Sequence, residues 1–506
     1  MPCCVLSSSD TMFSGFHLST RPLLSAGVLY LAIPPFLFLL GWLQLFVAVP
    51  LCIALVYGLY ACIRQLPQQR LSLHGTKTAA LLFLSVLCLL MALLCGFTGH
   101  FQQHADFMVR NAVYERLIVA DWPITADSGQ PFIYYFGHWL PPALVASFCP
   151  SSWASWILTL WTFLGMELTL LIAVSRWGFR QTVCWSLILF CLSSPLVALE
   201  CLGVPLSAWL ADYHAQLVLL IGMPAQLFHT FNHAIPSLLC TTLLLTRSLP
   251  AVGCYFIGAL LLVSSPIGAI LLLAYIINDS LFRNPSVSPL PSRLYNLLAH
   301  PVCWIAFFYT IIMAVFYSHL DGGGQFTCLF SGSYAELYHY GDNNLQLYPC
   351  SVKYVSFSLA LALGVFLPGL LLFPKCHKNP LYGITLALMA SCLFFRTGIM
   401  NNELLFKAPA VLYPFLALLF LHALREGNAP YRALLMVYLL CTSLPSLMCI
   451  IEQTATFSSQ PVSMHQNRQP ADQTIFSNSP TPVSRQFMKK ADCHLPSWLF
   501  NNKTKP

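Results

Sequence analysis

Charge is the scarcest property of this sequence. Only 8% of its 506 residues are charged while 57% are hydrophobic, and the mean hydropathy is +0.70. Length alone would suggest a few soluble domains, but apolar runs near twenty residues recur as far as residue 451, so a soluble globule is excluded. No interval offers a separate soluble catalytic domain; any chemistry must sit at helix ends and in the longer loops. The net charge of +7 gathers into no basic patch, which argues against nucleic acid. No CxxC pair or Cys/His cluster has metal-binding spacing. Roughly half of the cysteines fall inside apolar runs, where Cys behaves as a small hydrophobe, so their count says little about redox compartment. No small-residue cleavage site follows the first apolar run, which reads as a retained span. No repeat has a fixed period.

What is present is a succession of apolar runs: 24–41, 44–62, 79–97, 153–175, 181–199, 234–247, 251–264, 266–278, 300–318, 354–373, 380–396, 408–424 and 431–451. The fold class expected is all-α, a polytopic transmembrane helical bundle of about 13 spans over residues 1–451, with a polar, disordered tail over 452–506. The pair divided at SSPIG, residues 264–268, is short for a bilayer of about 30 Å and could be one bent helix.

Alternate threading puts Arg64, Arg70, Lys77, Arg176, Arg180, Arg247, Arg283, Arg293, Lys375, Lys378, Arg425 and Arg432 on one side, the cytoplasm, with the amino terminus. The other side receives the loops at about 98–152, 200–233, 319–353 and 397–407, and the tail. Most acidic residues before the tail face the same way. Cys328 and Cys350 share one exported loop and could pair or stay as thiols. Cys3 and Cys4 are acylation candidates, or simply an ordinary start.

The stretch HADFMVRNAVYERLIVADWPI concentrates Asp106, Arg110, Glu115, Arg116 and Asp121 in an otherwise charge-poor chain. It lacks Pro and Gly from 105 to 119 and pairs Asp106 with Arg110 at i, i+4, predicting a short surface helix. Beyond it, Trp122, Tyr134, Tyr135 and Trp139 suit a membrane interface, and Pro141-Pro142 opens a short segment that re-enters. A second loop contributes Asp212, His214, Gln226, His229, Asn232 and His233. The i, i+4 pair His229 and His233 could ligate a metal, or be two interfacial histidines. Glu167 within an apolar run is either functional or a proton-bearing side chain bonded to a neighbouring helix. In FFRTGIMNNELLFKAPA, Arg396, Glu403 and Lys407 crowd a short turn, either to hold a phosphate or to snorkel toward headgroups.

In HADFMVRNAVYERLIVADWPI with FIYYFGHWLPPALV, then AQLFHTFNHAIPSLL, then NNELLFKAPAVLYPFL, the sequence resembles the GT-C superfamily of multi-pass glycosyltransferases, close to bacterial membrane proteins of that type. The resemblance implies a polyprenyl-phosphate sugar donor, a glycan, lipid or protein acceptor on the exoplasmic face, and a place in the bacterial inner membrane. It also implies a catalytic carboxylate in the first large exported loop, carried onto Asp106 first and Asp121 second. Arg110, His214, His233, Arg396, Glu403 and Lys407 are then the substrate-binding candidates. No cofactor is expected; a divalent metal would suit such chemistry, but no ligand set indicates one. Two spans precede the helix that should open the family core, and the paired acidic residues common in that family are absent. The alternatives are a transporter or flippase of a lipid-linked saccharide, or an oligosaccharide polymerase or ligase.

Overall fold

A computed structural model describes residues 16–73, 76–103, 106–126, 131–193, 198, 203, 221–282, 289–320, 327–328, 379–396, 403–468 and 495–501. The span expected at 354–373, the partner Cys350 and most of the loops at 200–233 and 319–353 lie outside these residues.

The described chain is a helical bundle. Six helices are long and apolar enough to cross a membrane: α1 (Thr20–Trp42), α2 (Leu45–Arg64), α6 (Ala154–Trp177, extended by a turn from Ser151), α12 (Pro301–Ser318), α15 (Pro409–Glu426) and α16 (Ala429–Ala455). Five expected spans are shorter helices: α3 (Thr76–Leu94), α7 (Phe179–Cys191), α9 (Ala251–Leu260), α10 (Pro266–Ile277) and α13 (Pro380–Phe394). The run at 234–247 is the second half of α8 (Met223–Leu245), a helix buried along most of its length. The remaining helices are α4 (Asp106–Val119), α5 (Leu140–Ala146), α11 (Leu290–Leu298) and α14 (Glu403–Lys407). Two short antiparallel strand pairs, β1 (Phe16–Ser19) with β2 (Arg70–Leu73) and β3 (Thr327–Cys328) with β4 (Phe395–Arg396), tie loops together beside the bundle.

Local chemistry explains the helix boundaries. At SSPIG the chain makes two helices rather than one bent helix. A 3-10 turn, Leu261–Val263, closes the first, and Ser265 then caps the second, its hydroxyl accepting from the Gly268 amide at 3.3 Å with Pro266 in the first turn. Asn379 and Asn428 cap α13 and α16 in the same manner. Pro141 and Pro142 open α5, as the missing proline N–H is unneeded there. The surface helix predicted over 105–119 is α4, with Asp106 in its first turn and Arg116 in its last, each complementing the helix dipole.

Long-range hydrogen bonds sort the loops between the two ends of the bundle. At one end Arg176 reaches Gln69 Oε1 at 2.8 Å and the Thr246 carbonyl at 3.3 Å, joining three loops expected on the cytoplasmic side. At the other, Gln453 at the end of α16 donates to the Leu94 and Gln102 carbonyls, and the Gly137 amide donates to the Val263 carbonyl at 3.0 Å. A Cβ on Gly137 would strike Ser264, so a glycine lets the loop seat on the break between α9 and α10.

Polar composition predicted disorder beyond 452, yet α16 continues to Ala455 and two later stretches are docked. Val462 donates to the Gly99 carbonyl at 3.2 Å, Asn111 donates to the Asn467 carbonyl at 2.8 Å, and His465 and Arg468 both pair with Glu115. Farther on, Asn501 donates to the Trp42 carbonyl at 2.8 Å and Phe500 bridges to Leu43. Composition counts apolar surface and misses this mode of ordering, in which backbone groups are satisfied by loops already fixed by the bundle.

Candidate active site

Four segments converge at the end of the bundle that carries α4. They are α4 itself, the loop 131–139, the first half of α8, and α14 with its junction to α15.

Lys407 is the centre of this convergence. Only 5% exposed, it donates to the Tyr135 hydroxyl at 2.7 Å, pairs with Glu403 one helical turn earlier, and lies 4.4 Å from the Tyr135 ring centroid. A buried ammonium survives only when paired and hydrogen-bonded, and these contacts supply both conditions. It is held inside rather than snorkelling. The helix that carries it is fixed from α8, where the Gln226 amide donates to the Phe406 carbonyl.

Arg110 approaches from α4. Its Nη2 donates to Asp106 Oδ2 at 3.1 Å and its guanidinium lies 5.7 Å from both the Phe107 and Phe231 ring centroids. Its Nη1 is buried without a hydrogen-bond partner. Asp106 is 64% exposed, at the mouth of the site. The negative charges of Glu403 and, less strongly, Asp106 act on Tyr135 in the same direction as its burial.

The lining between the charges is aromatic. The Tyr134 and Tyr135 centroids are 3.8 Å apart, Tyr135 and His233 are 4.0 Å apart, and Trp139 and His138 meet Phe231 at 5.8 and 5.5 Å. Burial raises both phenols well above their ordinary value, so they stay protonated. Burial also pushes His138 down to about 3, and its Nε2 bonds to the Thr162 hydroxyl at 3.1 Å. Several buried polar atoms here lack partners: Nδ1 and Nε2 of His233, Nδ1 of His138 and Nε1 of Trp139. Each costs about 1–3 kcal/mol in that state, an expense a bound molecule would remove.

Helix α8 is broken where it meets this lining. Thr230 has φ −135° and ψ 34°, and its hydroxyl turns back to the Gln226 carbonyl at 3.0 Å and side-chain oxygen at 2.8 Å. His229 is half-buried and His233 fully buried on the far side of the break. Among the described residues no three His, Cys, Asp or Glu side chains come together to hold a metal.

The sequence-derived candidates thus divide. Arg110, His233, Glu403 and Lys407 come together, with Asp106 beside them through Arg110. Asp121 is exposed just beyond the end of α4. His214 lies outside the described residues, as does the side chain of Arg396, whose backbone forms β4. Glu167 is elsewhere, on α6, its Oε1 accepting from Ser85 on α3 at 2.7 Å, as the inter-helix reading expects. Sequence reasoning took Tyr134, Tyr135 and Trp139 for interfacial groups and did not single out His138. Their signal was a histidine embedded among five aromatics in FIYYFGHW, denser than a membrane belt needs. No family model, curated protein or solved structure matches this chain.

Proposed function

We propose that this chain is an integral membrane glycosyltransferase that moves a sugar from a polyprenyl-phosphate donor to an acceptor on the exoplasmic face of a bacterial inner membrane. The observation that carries the reading is Arg110. It is oriented by Asp106 through one nitrogen and offers the other, buried and unpartnered, beside the Lys407–Tyr135–Glu403 cluster.

In this reading the acceptor hydroxyl attacks the anomeric carbon and the bond from that carbon to the phosphate oxygen breaks. The hydroxyl proton passes to Asp106, which acts as general base, and polyprenyl phosphate leaves. Arg110 and Lys407 take up the charge that develops on the leaving phosphate, where low dielectric makes fixed cations effective. Sugar nucleotides are cytoplasmic, so an outward-facing enzyme needs a lipid-linked donor, and a site at the end of an apolar bundle suits one.

The test compares surface glycans and glycolipids by mass analysis in a strain lacking the gene, its parent, and the deletion strain carrying wild type or Asp106→Asn. Loss of one glycan in the deletion, restored by wild type alone, supports the reading. Restoration by Asp106→Asn would leave a transporter or flippase of the same lipid-linked saccharide as the better account.

A further inference from the structure

Of the nine residues of α11 only Leu297 is buried. Leu290, Leu294 and Leu298 recur at every fourth position and so share one edge of the helix; all three are exposed, as is Tyr295 beside them. Ser292, Arg293 and Asn296 occupy the other side. The helix is not free to roll its leucines inward. Arg293 Nη1 donates to the Leu281 carbonyl in the turn after α10 at 2.6 Å, and Trp304 Nε1 on α12 donates to the Leu298 carbonyl at 2.8 Å.

We propose that α11 is an interfacial helix, its Leu290–Leu294–Leu298 edge and Tyr295 seated in the surface of the lipid bilayer at the end of the bundle opposite α4. The inference concerns the anchoring of the chain and does not depend on the reaction proposed above.

The depth of α11 follows from α12. The 18 residues of α12 rise about 27 Å, close to the roughly 30 Å of a bilayer's hydrocarbon core, so its two ends lie near the two boundaries. Near its far end Tyr317 donates to the Leu262 carbonyl at 2.9 Å, next to the Val263 carbonyl on which Gly137 is seated, and that end therefore lies with the candidate site. Pro301 marks the opposite boundary. Only Ala299 and His300 separate it from α11, which keeps Leu298 within about 11 Å of that level.

The surface of α12 says what covers the leucines. Trp304, Phe307, Phe308 and Ile311 are exposed on this spanning helix, where lipid surrounds them, and Trp304 is the residue bonded to Leu298. The leucine edge thus continues a lipid-facing surface, with a Trp and a Tyr at the level such residues favour. A short helix with one apolar edge and a polar back is suited to lie in that plane, its edge inserted about 5–10 Å. With Arg293 turned to the Leu281 carbonyl, the attraction is apolar insertion rather than headgroup charge. A second copy of the chain fits less well. A helix about 14 Å long and about 10 Å across offers far less than the roughly 800 Å² per partner of a stable interface.

The test reconstitutes the full chain in phosphatidylcholine liposomes containing a phospholipid with a photoactivatable diazirine in its acyl chain, and maps labelled residues by mass spectrometry. Leu290, Leu294, Tyr295 and Leu298 should label within about threefold of Phe307 and Phe308, with Ser292 and Asn296 about fivefold or more below the leucines. Leu294→Glu, at an exposed position, should cut labelling across 290–298 severalfold and leave Phe307 and Phe308 unchanged. Leucines labelled no more than Ser292 and Asn296 in the wild-type chain overturn the proposal. So do unlabelled leucines together with a chemical cross-link from α11 to a second copy, which would assign the edge to a protein interface.

Discussion

Lys407 and Tyr135 are 272 residues apart in sequence and joined by a 2.7 Å hydrogen bond from ammonium to phenol. Together with Glu403 they lock α14 to the loop 131–139, so neither element can shift without uncovering a buried charge.

Removing Lys407 should therefore destabilise the protein and disable it. Lys407→Met leaves Glu403 unpaired, and the loss should fall below the roughly 3–5 kcal/mol typical of a broken fully buried pair because Glu403 is 26% exposed. Thermal unfolding in detergent should show the double variant Lys407→Met/Glu403→Gln to be more stable than Lys407→Met alone. A double variant weaker than the sum of the two singles would mean that each residue has other important partners.

Asp106→Asn should lower transfer by about 100- to 10,000-fold at equal expression, the usual worth of a general base. Asp121→Asn, at an exposed position beyond α4, should retain most activity in the same glycan-restoration assay. The reverse ranking would move the base to Asp121.

His138 predicts how stability varies with pH. Its value is held near 3 in the fold against 6.5 for an ordinary histidine, so below 6.5 the unfolded chain takes up a proton that the folded chain refuses. Stability should fall progressively as pH drops from about 7 toward 4. His138→Gln should flatten the part of that slope it contributes, measured by melting temperature across the range. An unchanged slope would mean that the buried ring is protonated with the rest.

Gly99 has φ +76°, and a Cβ there would strike the Val462 backbone. Gly99→Ala should lift the segment 458–468 from α4, free Arg468 from Glu115 and so speed tryptic cleavage at Arg468. Cleavage there several times faster than in wild type is the expected result, whereas equal rates would show that the docking does not depend on this contact.

Topology yields to thiol labelling at two exposed positions at opposite ends of the bundle, in a background cleared of native cysteines. A membrane-impermeant reagent should label Gln460→Cys in intact cells and Gln68→Cys only after permeabilisation. The opposite result would invert the chain and place the site in the cytoplasm.

Helix positions were legible because a 20-residue apolar run has few alternatives, and α4 because Asp106 and Arg110 show a helical spacing in a stretch free of Pro and Gly. Arg110 and Lys407 were legible for a related reason, since charge in a charge-poor chain stands out. The lining was not. Tyr135 and Trp139 look the same in sequence whether they face headgroups or a buried pocket, and only the fold of the loop against α8 distinguishes these. His138 was hidden likewise, because burial by distant segments leaves no local pattern. The ordering of residues 456–468 was also unreadable, as Glu115 gives no sign of partners 350 positions away.

That separation has a consequence for how the protein is made. The helix bearing Asp106 leaves the ribosome long before its clasp, since His465 and Arg468 emerge some 350 residues later. Throughout most of synthesis Glu115 and Asn111 wait while their partners at residues 465–468 are still untranslated. The surface around the site is thus completed by a segment made long after α4. A nascent chain stalled short of residue 458 would carry Asp106, Arg110 and Lys407 but leave α4 without its clasp, which ties the maturity of the site to the synthesis of residues 458–468.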